Sequence, residues 1–234
     1  MKQAKSRHKI AQMFDQIAVK YDRNNRLLSL GQDMKWRKSL RKYLPKKESL
    51  TILDLACGTG DQMIALSPIK ARFYGIDISK EMLKIAREKL KENEQVELLL
   101  GSALDIPFDE AFADVVTMSF GIRNVTDPSL CLKEIFRVLK PEGRVLILEF
   151  SQPQKRFFRF FSDYYIHRVI PWVGKKIIKS PLPYTYLSDT IEEFPSGDAF
   201  LHLMAESGFD NLTQRKMNFG TVSLYIGEKS KHNT

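Results

Sequence analysis

Apolar residues recur at three- and four-residue spacing through HKIAQMFDQIAVKYDRNNRLLSL (8–30), which predicts a long amphipathic helix. A shorter helix, DMKWRKSLRKYL (33–44), stops at Pro45. Then the period changes. LTILDLA (50–56) predicts a buried strand, DQMIALSP (61–68) a short helix and ARFYGIDI (71–78) a second strand. SKEMLKIAREKLKEN (79–93) predicts a helix with Ser79 as N-cap and Glu81 in its first turn. QVELLLG (95–101) and FADVVTMSF (112–120) predict the third and fourth strands. DPSLCLKEIFRVLK (127–140) opens as a helix with Asp127 as N-cap and Pro128 at its first position, breaks at PEG, and leads into the strand RVLILEF. Strands alternating with helices imply an α/β fold around a mostly parallel sheet, and near-continuous apolar strands imply burial on both faces. The tail FDNLTQRKMNFGTVSLYIGEKS (209–230) reads as a β-hairpin added to that sheet. No repeat or low-complexity tract interrupts the pattern. The expected layout is one domain over 1–234: a helical flap (1–45), a binding core (46–151), a helical segment over the site (152–208) and a C-terminal hairpin (209–234).

Composition changes this picture little. The chain has 234 residues, 43% hydrophobic and 28% charged, as expected of an ordinary globular domain. Two cysteines, Cys57 and Cys131, make no disulfide framework, which with the absence of an export signal points to a reducing, cytoplasmic compartment. No apolar run approaches the roughly 20 residues needed to span a bilayer. The net charge of +9 suggests either an anionic partner or a basic solubility bias.

The candidate chemistry lies in LDLACGTGD (53–61), where a strand runs into a Gly-x-Gly turn. Gly58 and Gly60 permit a sharp bend and close ligand approach at the carboxyl end of the strand, where open α/β sheets bind ligands. A dinucleotide site would carry a third glycine where Met63 stands. Asp61 directly after the turn, and Asp54 before it, would repel a pyrophosphate. The expected ligand is therefore a cationic nucleoside without phosphate, S-adenosylmethionine. Asp77, ending the second strand in YGIDIS, is placed to accept hydrogen bonds from a ribose. GSALDIPF (101–108) is placed to hold the adenine, with Ser102 and Ala103 at its loop. Thr59, Ile78 and Ser119 complete the expected cofactor set, and no metal is called for.

These stretches, with RVLKPEGRVLILEF, resemble the successive motifs of the Rossmann-like S-adenosylmethionine-dependent methyltransferases, which implies a seven-stranded sheet with an antiparallel last strand. YDRNNRLLSLGQDMKW (21–36), SFGIRNVTD (119–127) and RVLKPEGRVLILEFS (137–151) further resemble the quinone C-methyltransferases of menaquinone and ubiquinone biosynthesis. Three positions depart from that family's usual pattern: Asn24 for Met, Asp33 for His and Glu142 for Gly. The resemblance implies methylation of a ring carbon of a reduced polyprenyl quinone, with demethylmenaquinol favoured over a ubiquinone precursor. On this reading Arg123 binds the substrate and lowers the phenol pKa, Asn124 orients the same hydroxyl, Tyr21 and Asp22 close over the cofactor with Tyr21 also meeting the substrate, and Asp22 relays the proton through water. His167 and His202 are weaker candidates and are assigned no role.

QKRFFRFFSDYYIHRVIPWVGKKIIK (154–179) interleaves aromatics with Lys and Arg, which suits a membrane interface beside the substrate mouth. The expected partners are the polyprenyl hydroquinone and the inner face of the cell membrane, contacted peripherally, with a homodimer left open. Nucleic acid is not expected. SFGIRN replaces the Asn/Asp-Pro-Pro-aromatic motif of adenine N-methyltransferases, and neither cysteine is placed as the nucleophile of an RNA pyrimidine enzyme. A non-catalytic binding protein on the same fold is the remaining alternative.

Overall fold

The computed structural model describes residues 7–153 and 184–231, and between them 157, 159, 160, 164 and 168. In chain order the elements are α1 (Arg7–Leu28), α2 (Gln32–Ser39), β1 (Leu50–Leu55), α3 (Asp61–Leu66), β2 (Ala71–Asp77), α4 (Lys80–Leu90), β3 (Val96–Leu100) and β4 (Ala113–Ser119). They continue with α5 (Pro128–Val138), β5 (Leu139–Phe150), α6 (Tyr184–Glu193), α7 (Asp198–Glu206), β6 (Asp210–Met217) and β7 (Val222–Glu228). The strands form one seven-stranded sheet in the order β3-β2-β1-β4-β5-β7-β6. β1 to β5 run parallel, while β7 lies antiparallel between β5 and β6.

The sheet separates two apolar layers because strand side chains alternate. Val116, Met118, Val145 and Ile147 face α5 and α7, packing on Ile135, Phe200 and Met204. Their neighbours Val115, Leu146 and Leu148 face the other way, onto Trp36, Leu40, Met63 and Leu83. Both predicted caps form. Ser79 Oγ accepts from Met82 N at 3.1 Å, and Asp127 Oδ1 from Leu130 N at 2.9 Å. No helix among the described residues is long and apolar enough to cross a membrane.

β5 differs from expectation at its start. α5 ends at Val138, and Leu139 already pairs with Ala113 before the register jumps to Val115 with Arg144. Pro141 explains this, since the residue before a proline is driven toward extended backbone. Inside the bulge Glu142 has φ 64°, the left-handed region that disfavours a side chain. Gly143 is fixed by space: a Cβ there would lie 2.7 Å from the Lys140 carbonyl. The β6–β7 turn runs through three left-handed residues, with φ 46° at Asn218, 58° at Phe219 and 95° at Gly220, before Thr221 returns to negative φ.

Candidate active site

β1 and β4 are neighbours in the sheet, but the chain leaves them toward opposite sides, so a crevice opens at their carboxyl ends. Four backbone positions shape it. Ala56 (φ 48°), Gly58 (φ 55°) and Gly60 (φ 83°) bend the chain after β1, and Phe120 (φ 59°) bends it after β4. Ala56 and Phe120 are not glycines, and such strain concentrates at functional sites. The two bends abut closely: a Cβ on Gly121 would come within 2.8 Å of the Ala56 Cβ. The resulting cleft is partly open to solvent, and α1 contributes Phe14 and Tyr21 to its wall.

Asp77 is the carboxylate in this cleft. Gly58 N–H donates to its Oδ2 and Ser79 N–H to its Oδ1, both at 2.8 Å. Burial pushes its carboxyl up to about 6 despite these bonds. An ionised carboxylate accepts at roughly four positions, so acceptor capacity remains for a diol. Ile78, Met82, Ser102, Ala103 and Leu104 line the cleft on the far side of Asp77. Ser102 Oγ is taken up by the Leu104 amide at 3.2 Å, which fixes that loop. At Gly58 a Cβ would meet nothing within 4 Å, so the backbone faces open space. A buried acceptor for a ribose, an apolar slot for a base and an unobstructed glycine backbone fit S-adenosylmethionine.

Several predicted residues stand behind this wall instead of in it. Asp54 is 1% exposed, does not line the cleft, and accepts from Thr117 Oγ1 at 2.7 Å. Burial pushes its carboxyl up to about 7, and its Oδ2 has no hydrogen-bond partner. Gly60 serves as the left-handed cap of α3 and packs on Leu90. Thr59 Oγ1 donates to Asp22 Oδ1 at 2.6 Å. Asp22 also binds Lys89 at 2.9 Å and does not line the cleft, so its expected proton relay is not supported by its position. Ser119, by contrast, reaches the cleft and donates to Gln62 Oε1 at 2.8 Å.

The role expected for Asp61 also needs correction. Lys89 binds its Oδ1 at 2.5 Å and Arg26 its Oδ2 at 2.7 Å. Burial opposes the charge, but the hydrogen bond and charge of Lys89, the hydrogen bond of Arg26 and the charge of Arg37 outweigh it and hold the carboxyl below its ordinary range. Asp61 is thus a neutralised anchor, and it does not repel phosphate from the cleft. Arg26 continues to Asp33, which Ser29 Oγ also bonds at 2.9 Å. Asp33, where a histidine was the expected family residue, is therefore part of a charge chain joining α1, α2, α3 and α4. Asn24, also on α1, is buried with an unpartnered Oδ1.

Arg123 does not line the cleft either. Its guanidinium binds Glu149 Oε1 at 2.9 Å and the Phe120 carbonyl at 2.7 Å, and it lies 5.2 Å from the Phe150 ring centroid. Glu149 is fully buried, and burial raises its carboxyl while Arg123 opposes the rise. The guanidinium is committed to that carboxylate, so direct contact with a phenol is not what the geometry shows. Asn124 does face the cleft. Its Oδ1 accepts from Tyr186 of α6 at 2.9 Å. Tyr186, Glu149, Arg26 and Lys89 were not singled out from sequence. Only Glu149 left a trace there, as a lone acid in the apolar strand LILEF. His202 sits on the surface 3.3 Å from Glu206, and His167 lies outside the described residues.

Fold and cleft together define a Rossmann-like S-adenosylmethionine-dependent methyltransferase. The same fold occurs in an S-adenosylmethionine-dependent methyltransferase of Thermotoga maritima, at a TM-score of 0.68 and 20% identity over 94% of this chain and 99% of that one. The sequence profile of the ubiE/COQ5 methyltransferase family matches residues 1–229. A Geotalea uraniireducens protein named ubiquinone/menaquinone biosynthesis C-methyltransferase UbiE is 40% identical, over 94% of this chain and 96% of its own. A Staphylococcus aureus demethylmenaquinone methyltransferase is 37% identical, over 98% and 96%. The chain belongs to the ubiE/COQ5 family, S-adenosylmethionine-dependent C-methyltransferases of menaquinone and ubiquinone biosynthesis.

Proposed function

We propose that this protein methylates a ring carbon of demethylmenaquinol. The observation that carries this is the near-complete match to a relative named for that substrate, on a chain whose cleft is walled mostly by apolar side chains, with Asp77 and Arg7 its charged residues. Bound S-adenosylmethionine supplies a methyl group on a sulfonium. Asp77 holds the ribose, Gly58 lets the ligand approach the backbone, and the loop from Ser102 to Leu104 takes the base. Ser119 and Phe120 close the opposite wall. Asn124, its amide oriented by Tyr186, donates from Nδ2 to the substrate hydroxyl oxygen. That contact favours the phenolate once the hydroxyl proton has passed to water at the open side of the cleft, which places charge on the adjacent ring carbon; that carbon takes the methyl and then gives up its own proton to water. Tyr21 covers the site from α1. Arg123 and Glu149 act behind Asn124 as a charge-balanced pair that fixes the Phe120–Asn124 bend. Alignment of the two reactants is worth about 7–11 kcal/mol in such reactions.

The test is methyl transfer from labelled S-adenosylmethionine. Demethylmenaquinol should be converted, and a demethylated ubiquinone precursor more slowly. Conversion of the precursor alone would replace the substrate assigned here, as the joint name of the Geotalea relative allows. Peripheral membrane contact belongs to this reading too. The aromatic segment assigned to it from sequence, 154–179, lies outside the described residues apart from five positions.

A further inference from the structure

Away from the cleft, one aromatic side chain is presented to solvent by a backbone it disfavours. Phe219 is 76% exposed and sits at φ 58°. A bulky residue at positive φ is an outlier that persists only where its surroundings over-determine it. They do so here. Ser151 Oγ donates to the Gly220 carbonyl at 2.8 Å, Ser151 N to the Thr221 carbonyl at 3.0 Å, and Thr221 Oγ1 to the Asn218 carbonyl at 3.0 Å. The turn is thereby pinned to the end of β5. Phe150, the last residue of β5, has its ring 4.8 Å from that of Phe120 in the cleft wall. The exposed Phe219 and the cleft therefore share the carboxyl edge of the sheet.

Cations lie close to this tip. Arg215 and Lys216 are exposed immediately before the turn. Ser39 Oγ lies 3.9 Å from Met217 Sδ, which brings the exposed Lys35 and Lys38 of α2 to its flank. The whole chain carries +9. An exposed aromatic with Lys and Arg on neighbouring turns and strands is an arrangement that anchors proteins at anionic lipid surfaces. Nucleic acid would engage the same cations, but gains little from an apolar side chain held out by a left-handed turn.

The geometry points to the β6–β7 turn as a membrane-docking tip, with Phe219 entering the interface of an anionic bilayer while Arg215, Lys35 and Lys38 meet headgroup phosphates. The inference rests on the quinone reading for its purpose, since a docked edge lets an isoprenoid tail stay in lipid. Its test does not. The full chain is sedimented with quinone-free vesicles of phosphatidylcholine, with and without phosphatidylglycerol. Binding is expected only to the anionic vesicles and should fall with salt. Phe219→Gly suits the positive φ, so its melting temperature should hold or rise, while vesicle affinity falls roughly tenfold or more with the loss of a buried phenyl ring. Phe219→Trp should keep the affinity and show a blue-shifted emission on vesicles. Native binding by the Phe219→Gly variant would overturn the proposal. So would a protein that ignores vesicles but forms a dimer dissolved by Phe219→Gly, or one that captures only RNA. If vesicles bind as expected while demethylmenaquinol is not methylated, the substrate assignment fails alone.

Discussion

Single carboxylates in this protein carry opposite electrostatic loads, and each sets a measurable behaviour. Asp54 and Asp77 titrate near 7 and 6 in the fold because burial disfavours their charge. An unfolded Asp ionises near 3.9. Their contribution is therefore neutral below that value and destabilising above the folded values, so stability should decline between about pH 4 and pH 7. Asp54→Asn should flatten that decline in urea unfolding at pH 5 and pH 8. Ligand binding has the reverse sign. A ribose diol and a sulfonium favour ionised Asp77, so affinity for S-adenosylmethionine should fall by up to about tenfold per pH unit below pH 6. Calorimetry of Asp77→Asn should show weaker binding with that slope removed. Arg123→Ala would leave Glu149 buried without its cation, at a cost of about 3–5 kcal/mol. Lost activity in that variant reports lost structure unless Arg123→Met with Glu149→Gln restores the melt. Glu142→Gly should raise stability by roughly 1 kcal/mol, because glycine tolerates the left-handed bulge. A melting temperature below the native value would contradict the strain read there.

At the scale of elements, α1 is held over the cleft by a charge chain as well as by apolar packing. Arg26 and Asp22 on α1 reach Asp61 and Lys89 on α3 and α4, while Ile17 and Ala18 pack on Met82. Asp61→Asn weakens two charge-assisted contacts at once and should loosen the attachment by roughly 1.5–3 kcal/mol. Hydrogen exchange should then accelerate in α1 well before the sheet, with weaker cofactor binding. Equal protection of α1 in the variant would show that packing alone holds it. This clasp explains why some of the site was legible in the sequence and some was not. Gly58, Asp77, Ile78, Ser102, Ala103 and Ser119 follow strand ends, and strand periodicity places strand ends. Asp22, Thr59 and Asp61 are equally visible as residues, but their partners lie on other helices. Nothing in a linear pattern shows that Lys89 will cancel the charge next to a glycine turn. The left-handed Phe219 was hidden for a similar reason: NFGT reads as an ordinary hairpin turn, and only the pinned backbone reveals which residue takes the positive φ.

For the molecule as a whole, the cleft makes folding and ligand binding one equilibrium. S-adenosylmethionine at about 100 times its Kd should stabilise the protein by about 2.7 kcal/mol, and NAD should not, in paired thermal melts. A shift with NAD alone would remove the methyl donor from the site. Strand order has a separate outcome for biogenesis. β7 is the last strand in the chain, yet it lies inside the sheet between β5 and β6. A ribosome that has released everything through Gly220 still presents the apolar margin of β5 with no neighbour. Bare strand margins invite pairing with other chains. Nascent or prematurely terminated products should therefore recruit chaperones or aggregate until the residues from Val222 to Glu228 emerge and slot into place.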